Sequence, residues 1–255
     1  MRKAPNPLRQ VFVSFATAVI AIAYLTGCHC YPTLSPAPAI EESVALFPFN
    51  ANLADISGHI NSGTAAGSPV GISYVLDRAS RPNSALQLDG TSWVTVPDKS
   101  DLNFDSTKSF TIVAWVYFTG AGPHSGGLVC KGPATGSAPG YQFRLNNNRL
   151  EALITSDDNF DFVMDTTDSL KPDVWNFVSM VVDQPQGIVF LGINNSRIVS
   201  KTGLHLNAAR GNTADLLIGK DRSATGFFIG ALDDVGIYSR ALSSGELLTV
   251  QSESH

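Results

Sequence analysis

Carboxylates are side chains of this 255-residue chain that could act as acids, bases or nucleophiles, and their placement limits the chemistry they could perform. Cleavage of a glycosidic bond needs two carboxyl groups, about 5–5.5 Å apart for retention and ~6.5–9.5 Å apart for inversion. Of the five glutamates, Glu41 and Glu42 lie in a proline-rich segment, and Glu246 and Glu253 lie near the C-terminus. Only Glu151 falls in the body of the chain, and no acidic residue lies two positions before or after it. We therefore predict that the protein is not an enzyme, with a hydrolase built on loop aspartates as the alternative.

Asp233 is a candidate ligand for a cation. On strict alternation it shares a face with Val235 and Ile237, and that face is predicted to be the core face. A buried carboxylate must be paired or must ligate a cation, and calcium takes about six to eight oxygen ligands. The alternative is that Asp233 accepts backbone N–H bonds at a β-bulge. The acidic segment 157–161 is a second candidate, but it reads more simply as a solvated hairpin loop.

The N-terminus carries a thiol in a defined setting. Arg2, Lys3 and Arg9 precede fifteen uncharged residues, 11–25, and Leu-Thr-Gly stands directly before Cys28. This order is that of an export signal, with a charged region, an apolar region and a small-residue cleavage site. The motif resembles the lipobox of bacterial lipoproteins, in which the thiol receives a lipid and the chain is cut before the cysteine.

The lipobox resemblance implies that residues 1–27 are a signal peptide and that Cys28 is lipidated at the start of the mature protein. The protein would then be anchored in the cell envelope through the lipid, and in the outer membrane if the organism is diderm. A transmembrane helix needs about 20 apolar residues, and residues 11–25 fall short of that length. An uncleaved anchor followed by a structural cysteine is the remaining alternative.

The charge balance excludes two classes of partner. The chain has 17 Lys plus Arg against 22 Asp plus Glu, and removing residues 1–27 with their three basic residues changes the formal charge from −5 to −8. Such acidity does not attract nucleic acid or an anionic lipid surface.

Residues 28–43 are predicted to form a proline-rich tether. A bridge between Cys30 and Cys130 is allowed in an oxidising compartment, but Cys130 sits in a predicted strand and reads as a buried thiol.

The segment 44–252 reads as one domain of short strands separated by Gly, Asn and Pro turns. Residues 110–118 are apolar on both alternating faces, which predicts a central strand covered on both sides. Segments 141–145 and 149–154 flank an Asn-Asn-Asn turn, which is typical of a hairpin. A capping-box spacing at 243–246 predicts the start of a helix. The fold class is therefore all-β, a sandwich or a barrel, with one short C-terminal helix.

Several segments, taken in order, resemble the LamG-like members of the concanavalin A-like lectin/glucanase superfamily. The most specific is 228–243, which looks like the family's closing strand and helix start, F-x-G-x-I-D-E-V-x-I-Y-x-R-A-L-S. Residues 55–63 look like its D-x-S-G-N-x-N-x-G loop, with His59 in place of the usual Asn. The other similar segments are 85–90, 94–97, 109–116, 175–178 and 217–219. The resemblance implies a jelly-roll sandwich of two antiparallel sheets.

The same resemblance implies ligands and partners. Members of the family often hold a calcium ion between the D-x-S-G loop and the closing-strand Asp, so the implied structural site is Asp55, Asn61 and Asp233, with carbonyls from 57–61. The implied function is non-catalytic binding of a glycan or another cell-surface partner. The alternatives are a structural or adhesion protein without sugar specificity, and an atypical polysaccharide-acting enzyme.

A sugar platform needs an exposed aromatic ring beside polar groups. Trp115 and Trp175 are predicted to be core residues because they lie in strongly apolar segments. The remaining candidates for a platform are Trp93, Tyr74, Phe160 and Phe228. The sequence does not choose among them.

Overall fold

The structure is a computed structural model that describes most of the chain from residue 43 onward. It describes residues 43–255 except 69, 106, 121, 133–138, 156–161, 195, 202–210 and 254, and leaves out the side chains of 162–165 and 197–201. The predicted signal peptide, Cys28, nearly all of the tether and the acidic segment 157–161 lie outside the described residues. In the part described, no helix is long and apolar enough to span a membrane.

Within the described residues, fifteen strands form two antiparallel sheets, which confirms the predicted two-sheet sandwich. The eight-stranded sheet contains β1 (Ser43–Phe47), β3 (Ser73–Val75), β4 (Ala85–Asp89), β6 (Phe110–Tyr117), β11 (Asn176–Asp183), β12 (Ile188–Ile193), β13 (Ser196–Lys201) and β15 (Ile229–Tyr238). The seven-stranded sheet contains β2 (Thr64–Gly67), β5 (Ser92–Val96), β7 (Gly126–Lys131), β8 (Gly140–Asn146), β9 (Arg149–Thr155), β10 (Phe162–Ser169) and β14 (Leu216–Ile218). A 3-10 turn (Ser100–Leu102) and helix α1 (Ser244–Ser252) complete the described elements.

The order of strands places β6 at the centre of its sheet, as its two apolar faces predict. The eight-stranded sheet runs β13-β12-β11-β6-β15-β4-β3, with β1 also paired to β15, and the other sheet runs β10-β9-β8-β7-β14-β5-β2. Phe110, Ile112 and Ala114 of β6 pack into the core between the sheets. Val113 and Trp115 pack into a second cluster on the outer face. Trp115 is therefore packed, but outside the core between the sheets.

Helix α1 starts at the capping box that the sequence predicts. The Ser243 hydroxyl accepts the backbone N–H of Glu246, and the Glu246 carboxylate accepts the backbone N–H of Ser243 at 2.8 Å. Leu242 and Val250 are buried against the outer face of the eight-stranded sheet, with Leu247 partly buried beside them. The helix thus covers the part of that face where Trp115 lies.

A bulge in β15 changes the direction of its acidic side chains. The register against β6 shifts after Asp233, and Asp234 has a φ of 42°. Leu232 and Val235 both pack into the core between the sheets, so Asp233 faces outward, opposite Trp115. The prediction that Asp233 shares the core face with Val235 is wrong, because the extra residue of a bulge breaks strict alternation.

Candidate functional site

A groove of about 710 Å³ opens on the outer face of the eight-stranded sheet. Its floor is a row across the strands in which Gln87 of β4, Ala231 of β15 and Tyr117 of β6 lie side by side. Trp175, one residue before β11, continues the row, and its ring centroid is 5.5 Å from that of Tyr117. Ala231 itself is almost fully buried, so the accessible part of the floor is formed by the partly exposed side chains of Gln87, Tyr117 and Trp175.

Neutral polar groups line this groove, and most of them have no hydrogen-bond partner among the described residues. Within the described residues, the Tyr117 hydroxyl, the Trp175 indole N–H and the side chains of Ser80 and Asn83 make no hydrogen bond. Gln87 uses only its amide N–H, which donates to the carbonyl of Leu88 at 3.1 Å. Aromatic faces beside unfilled donors and acceptors are what a small-molecule site needs to hold and orient a polar ligand.

One wall of the groove is a turn that its own aspartate fixes. The Asp77 carboxylate accepts the backbone N–H groups of Ala79 and Arg81 at 2.9 and 2.7 Å and the Arg81 Nε–H at 2.5 Å. Burial works to raise the pKa of Asp77, but the hydrogen bonds from Arg81 and Ala79 and the Arg81 charge outweigh it and bring the pKa below its usual value. The turn is therefore held in one shape by an ionised, buried carboxylate.

Arg78, at the base of the turn, fastens the wall to the sheet. Its guanidinium donates to Asp233 Oδ2 at 2.5 Å, lies 2.6 Å from Asp234 Oδ2, and also donates to the Glu253 carbonyl. It stacks on Trp115, 4.8 Å from the ring centroid. Burial and the neighbouring Asp234 charge raise the pKa of Asp233 to about 7, against the lowering effect of Arg78.

Asp55 and Asn61, two of the three predicted calcium ligands, lie in one loop beside β1. Asp55 Oδ1 accepts the backbone N–H groups of Leu46 and Ser57, both at 2.9 Å. Asp55 Oδ2 accepts the Ser57 hydroxyl at 2.9 Å and the Asn61 backbone N–H at 2.8 Å. Four hydrogen bonds occupy the lone-pair sites of a carboxylate, so Asp55 acts here as the organiser of the loop.

The carbonyls that were predicted to complete the calcium shell already hold a cation. The Lys99 ammonium donates to the carbonyls of His59 and Ile60 at 3.0 and 2.5 Å. Nearby, Asn61 Oδ1 and Asp101 Oδ1 are buried and have no hydrogen-bond partner. These two oxygens are acceptors that a cation could use; Asn61 was predicted to be a ligand together with Asp55 and Asp233, whereas Asp101 was not predicted.

The three predicted calcium ligands do not share one centre in the structure. Asp233 is held by Arg78 on the outer face of β15, whereas Asp55 and Asn61 organise the loop beside β1. As placed here, they do not fit a shared calcium ion, and calcium binding stays a prediction of the sequence. Among the described residues, no group of three His, Cys, Asp or Glu side chains could hold a metal ion.

The predicted aromatic platforms have different outcomes. Tyr74 lines the groove, with its ring partly packed against the core, while Phe228 is fully buried in that core. Trp93 lies on the other sheet, with its ring centroid 5.6 Å from that of Phe227. Phe160 lies outside the described residues. Trp175 was predicted to be core and instead lies in the groove floor, next to the half-exposed Val174.

Glu151 has no free carboxylate oxygen for catalysis. It is almost fully buried, pairs with Arg144 and accepts the Asn146 side-chain N–H at 2.9 Å. Cys130 is a free and fully buried thiol, as predicted, and burial raises its pKa. Neither residue offers a nucleophile or a general base to a ligand in the groove.

Sequence comparison identifies one family over more than half of the chain. The profile described as the Concanavalin A-like lectin/glucanases superfamily matches residues 88–248. No curated protein matches the chain. The matched segment contains Tyr117, Trp175 and Ala231, so most of the groove floor lies inside it.

Several solved structures have the same fold, and some of them are binding domains. The binding domain of Paraclostridial Mosquitocidal Protein 1 is 20% identical with a TM-score of 0.63, over 83% of this chain and 52% of that one. Domain 4 of AbnA, a GH43 extracellular arabinanase from Geobacillus stearothermophilus, solved with arabinotriose, is 21% identical with a TM-score of 0.59, over 82% of this chain and 99% of that one. The Botulinum Neurotoxin serotype G binding domain is 18% identical with a TM-score of 0.60, over 82% and 50%. The chain thus spans about half the length of the mosquitocidal-protein and neurotoxin binding domains, and these similarities show the fold.

Proposed function

Because the chain belongs to the concanavalin A-like lectin/glucanase superfamily, we propose that it is a non-catalytic binding module whose groove holds a glycan at the cell surface. The observation that carries this proposal is the row of Gln87, Ala231, Tyr117 and Trp175 on an open sheet face. In this proposal, a lipid on Cys28 anchors the module in the cell envelope, in the outer membrane of a diderm organism.

The shape and chemistry of the groove suit an oligosaccharide. Its volume of about 710 Å³ lies within the range of roughly 300–1,000 Å³ that is usual for ligand sites. A sugar ring has an apolar face that packs on aromatic rings, and the Tyr117–Trp175 pair supplies two of them. Its hydroxyls both donate and accept hydrogen bonds, as do the Gln87 and Asn83 amides.

The solved relatives agree with a binding role. One is a domain of an arabinanase in complex with arabinotriose, and the other two are the binding domains of a mosquitocidal protein and of a neurotoxin. In the described part of this chain, the absence of an unpaired body glutamate or a metal-ligand cluster also favours binding over hydrolysis. We therefore assign the groove a binding role without turnover.

A protein partner is the second candidate, and one observation favours it. Leu76, on the rim of the groove, is 57% exposed, and Val174, next to Trp175, is 46% exposed. Exposed aliphatic side chains around a groove suit a protein surface as well as a sugar. An adhesion role without sugar specificity would use the same face.

A glycan array tests the proposal directly. We expect the full chain, purified in detergent, to bind one structural class of glycan, and we expect Trp175→Ala to weaken that binding roughly tenfold. Trp93→Ala is the matched control, because it removes the same side chain from the other sheet. If no glycan on the array binds and a single cell-surface protein is captured, the adhesion role is favoured. Turnover of a polysaccharide would overturn both.

A further inference from the structure

We propose that the groove selects uncharged glycans and rejects acidic ones, because both charged side chains on its described walls are already neutralised within the protein. This inference rests on the proposed function and names the class of glycan that the same site takes. It concerns Asp77 and Arg78, the charged residues among those that line the groove in the part of the chain described.

Asp77 has no free acceptor for a ligand. Its side chain is fully buried, and its two oxygens accept N–H groups from Ala79 and Arg81. A ligand that offered a cationic group would have to displace the hydrogen bonds that fix the turn. The carboxylate therefore shapes the wall and does not recognise the ligand.

Arg78 is turned away from any acidic ligand. Its guanidinium is 12% exposed and contacts two carboxylates, Asp233 and Asp234, whose side chains are 0% and 7% exposed. A sugar carboxylate would have to compete with these two for the same N–H groups while giving up its own hydration. The stack on Trp115 further fixes the guanidinium where it is.

The electrostatic potential near Arg78, at this end of the groove, also disfavours the binding of anions. The cluster beneath the turn contains three aspartates, Asp77, Asp233 and Asp234, against two guanidiniums, Arg78 and Arg81. Two further ionisable groups lie near Arg78 in the described part of the chain. They are the carboxyl side chain of Glu253 and the His255 ring, which lies 3.3 Å from Asp234. A uronate or sulfate would meet a surplus of negative charge there.

The groups left for a ligand are all neutral. They are the Tyr117 hydroxyl, the Trp175 indole N–H, the side chains of Ser80 and Asn83, and Gln87 Oε1. Donors and acceptors are both present, which matches sugar hydroxyls, since each hydroxyl can do either. A site for acidic sugars would instead present an unpaired Arg or Lys.

The test compares neutral oligosaccharides with counterparts that differ only by oxidation of the 6-hydroxymethyl group to a carboxylate. The full chain is titrated by calorimetry at low and high salt. We expect the neutral member to bind, its dissociation constant to be unchanged by salt, and the carboxylate member to bind at least about tenfold more weakly. We also expect Gln87→Lys, which places an unpaired ammonium on the groove floor, to gain affinity for the carboxylate member.

The failures are distinguishable. Tight, salt-sensitive binding of carboxylate members that Trp175→Ala weakens would overturn this inference and leave the proposed function standing. Binding of neither series would overturn the proposed function and this inference with it. A gain in affinity for the carboxylate members that is seen in Gln87→Lys and not in Gln87→Met would support the inference. Both variants carry an unbranched side chain, and only that of Gln87→Lys is charged.

Discussion

Removal of Arg78 should destabilise the fold more than removal of an exposed arginine. Arg78→Ala leaves Asp233 and Asp234 buried beside each other without their guanidinium. Breaking a buried pair by removing one partner costs about 3–5 kcal/mol, and the lost stack on Trp115 adds roughly 0.5–1 kcal/mol. We therefore expect a loss of about 4–6 kcal/mol in the free energy of unfolding. In a domain of this size that corresponds to a fall in Tm of roughly 8–24 °C.

Urea unfolding and thermal melting, measured side by side at pH 8, check this prediction. The control is Arg240→Ala, since Arg240 pairs with Glu246 at side-chain exposures of 30% and 35%, where a pair contributes about 0–1 kcal/mol. Adding Asp233→Asn and Asp234→Asn to Arg78→Ala should recover part of the loss, because the unpaired charges are then gone. If Arg78→Ala and Arg240→Ala melt within two degrees of each other, the reasoning about a buried charge cluster is refuted.

Three further predictions concern protonation, metal and anchoring. The raised pKa values of Asp233 (about 7) and His255 favour their protonated forms in the folded state, so Tm should rise as pH falls from 8 to 5. Asp233→Asn should lose most of that rise, and a flat profile for the parent would contradict the assignment. Chelation by EDTA should leave Tm unchanged, because the Asp55 carboxylate already accepts four hydrogen bonds. A calcium-specific increase in Tm that Asn61→Ala abolishes would instead support the calcium site predicted from the sequence. Cys28→Ala should abolish incorporation of radiolabelled palmitate, and continued labelling would show that the lipid is elsewhere.

Local sequence patterns predict the strands, turns and helix that are determined by residues close together in the chain. Strand β6 is central because both of its faces are apolar, and helix α1 starts where Ser243 and Glu246 can cap it. The hairpin between β8 and β9 forms because Asn147 and Asn148 adopt positive φ values, 51° and 65°, at low cost. Each of these features depends on residues a few positions apart.

The groove depends on neighbours that are distant in sequence. Arg78 reaches Asp233 across 155 positions, and Trp175 joins the groove floor only because β11, which it precedes, pairs with β6. The bulge at Asp234 has no signal in the hydrophobic pattern, so alternation assigns Asp233 to the wrong face. The aromatic pair was therefore missed for a physical reason, since strand register decides which rings meet.

The most direct test of the account is a calorimetric titration of the strongest glycan from the array into the full chain and two tryptophan variants. Loss of one side of an aromatic pair that holds a sugar should cost about 1.4 kcal/mol, or roughly a tenfold increase in Kd. We expect that increase for Trp175→Ala, which removes one ring of the aromatic pair from the groove floor, and an unchanged Kd for Trp93→Ala on the other sheet. An unchanged Kd for Trp175→Ala, or an increase confined to Trp93→Ala, would contradict it.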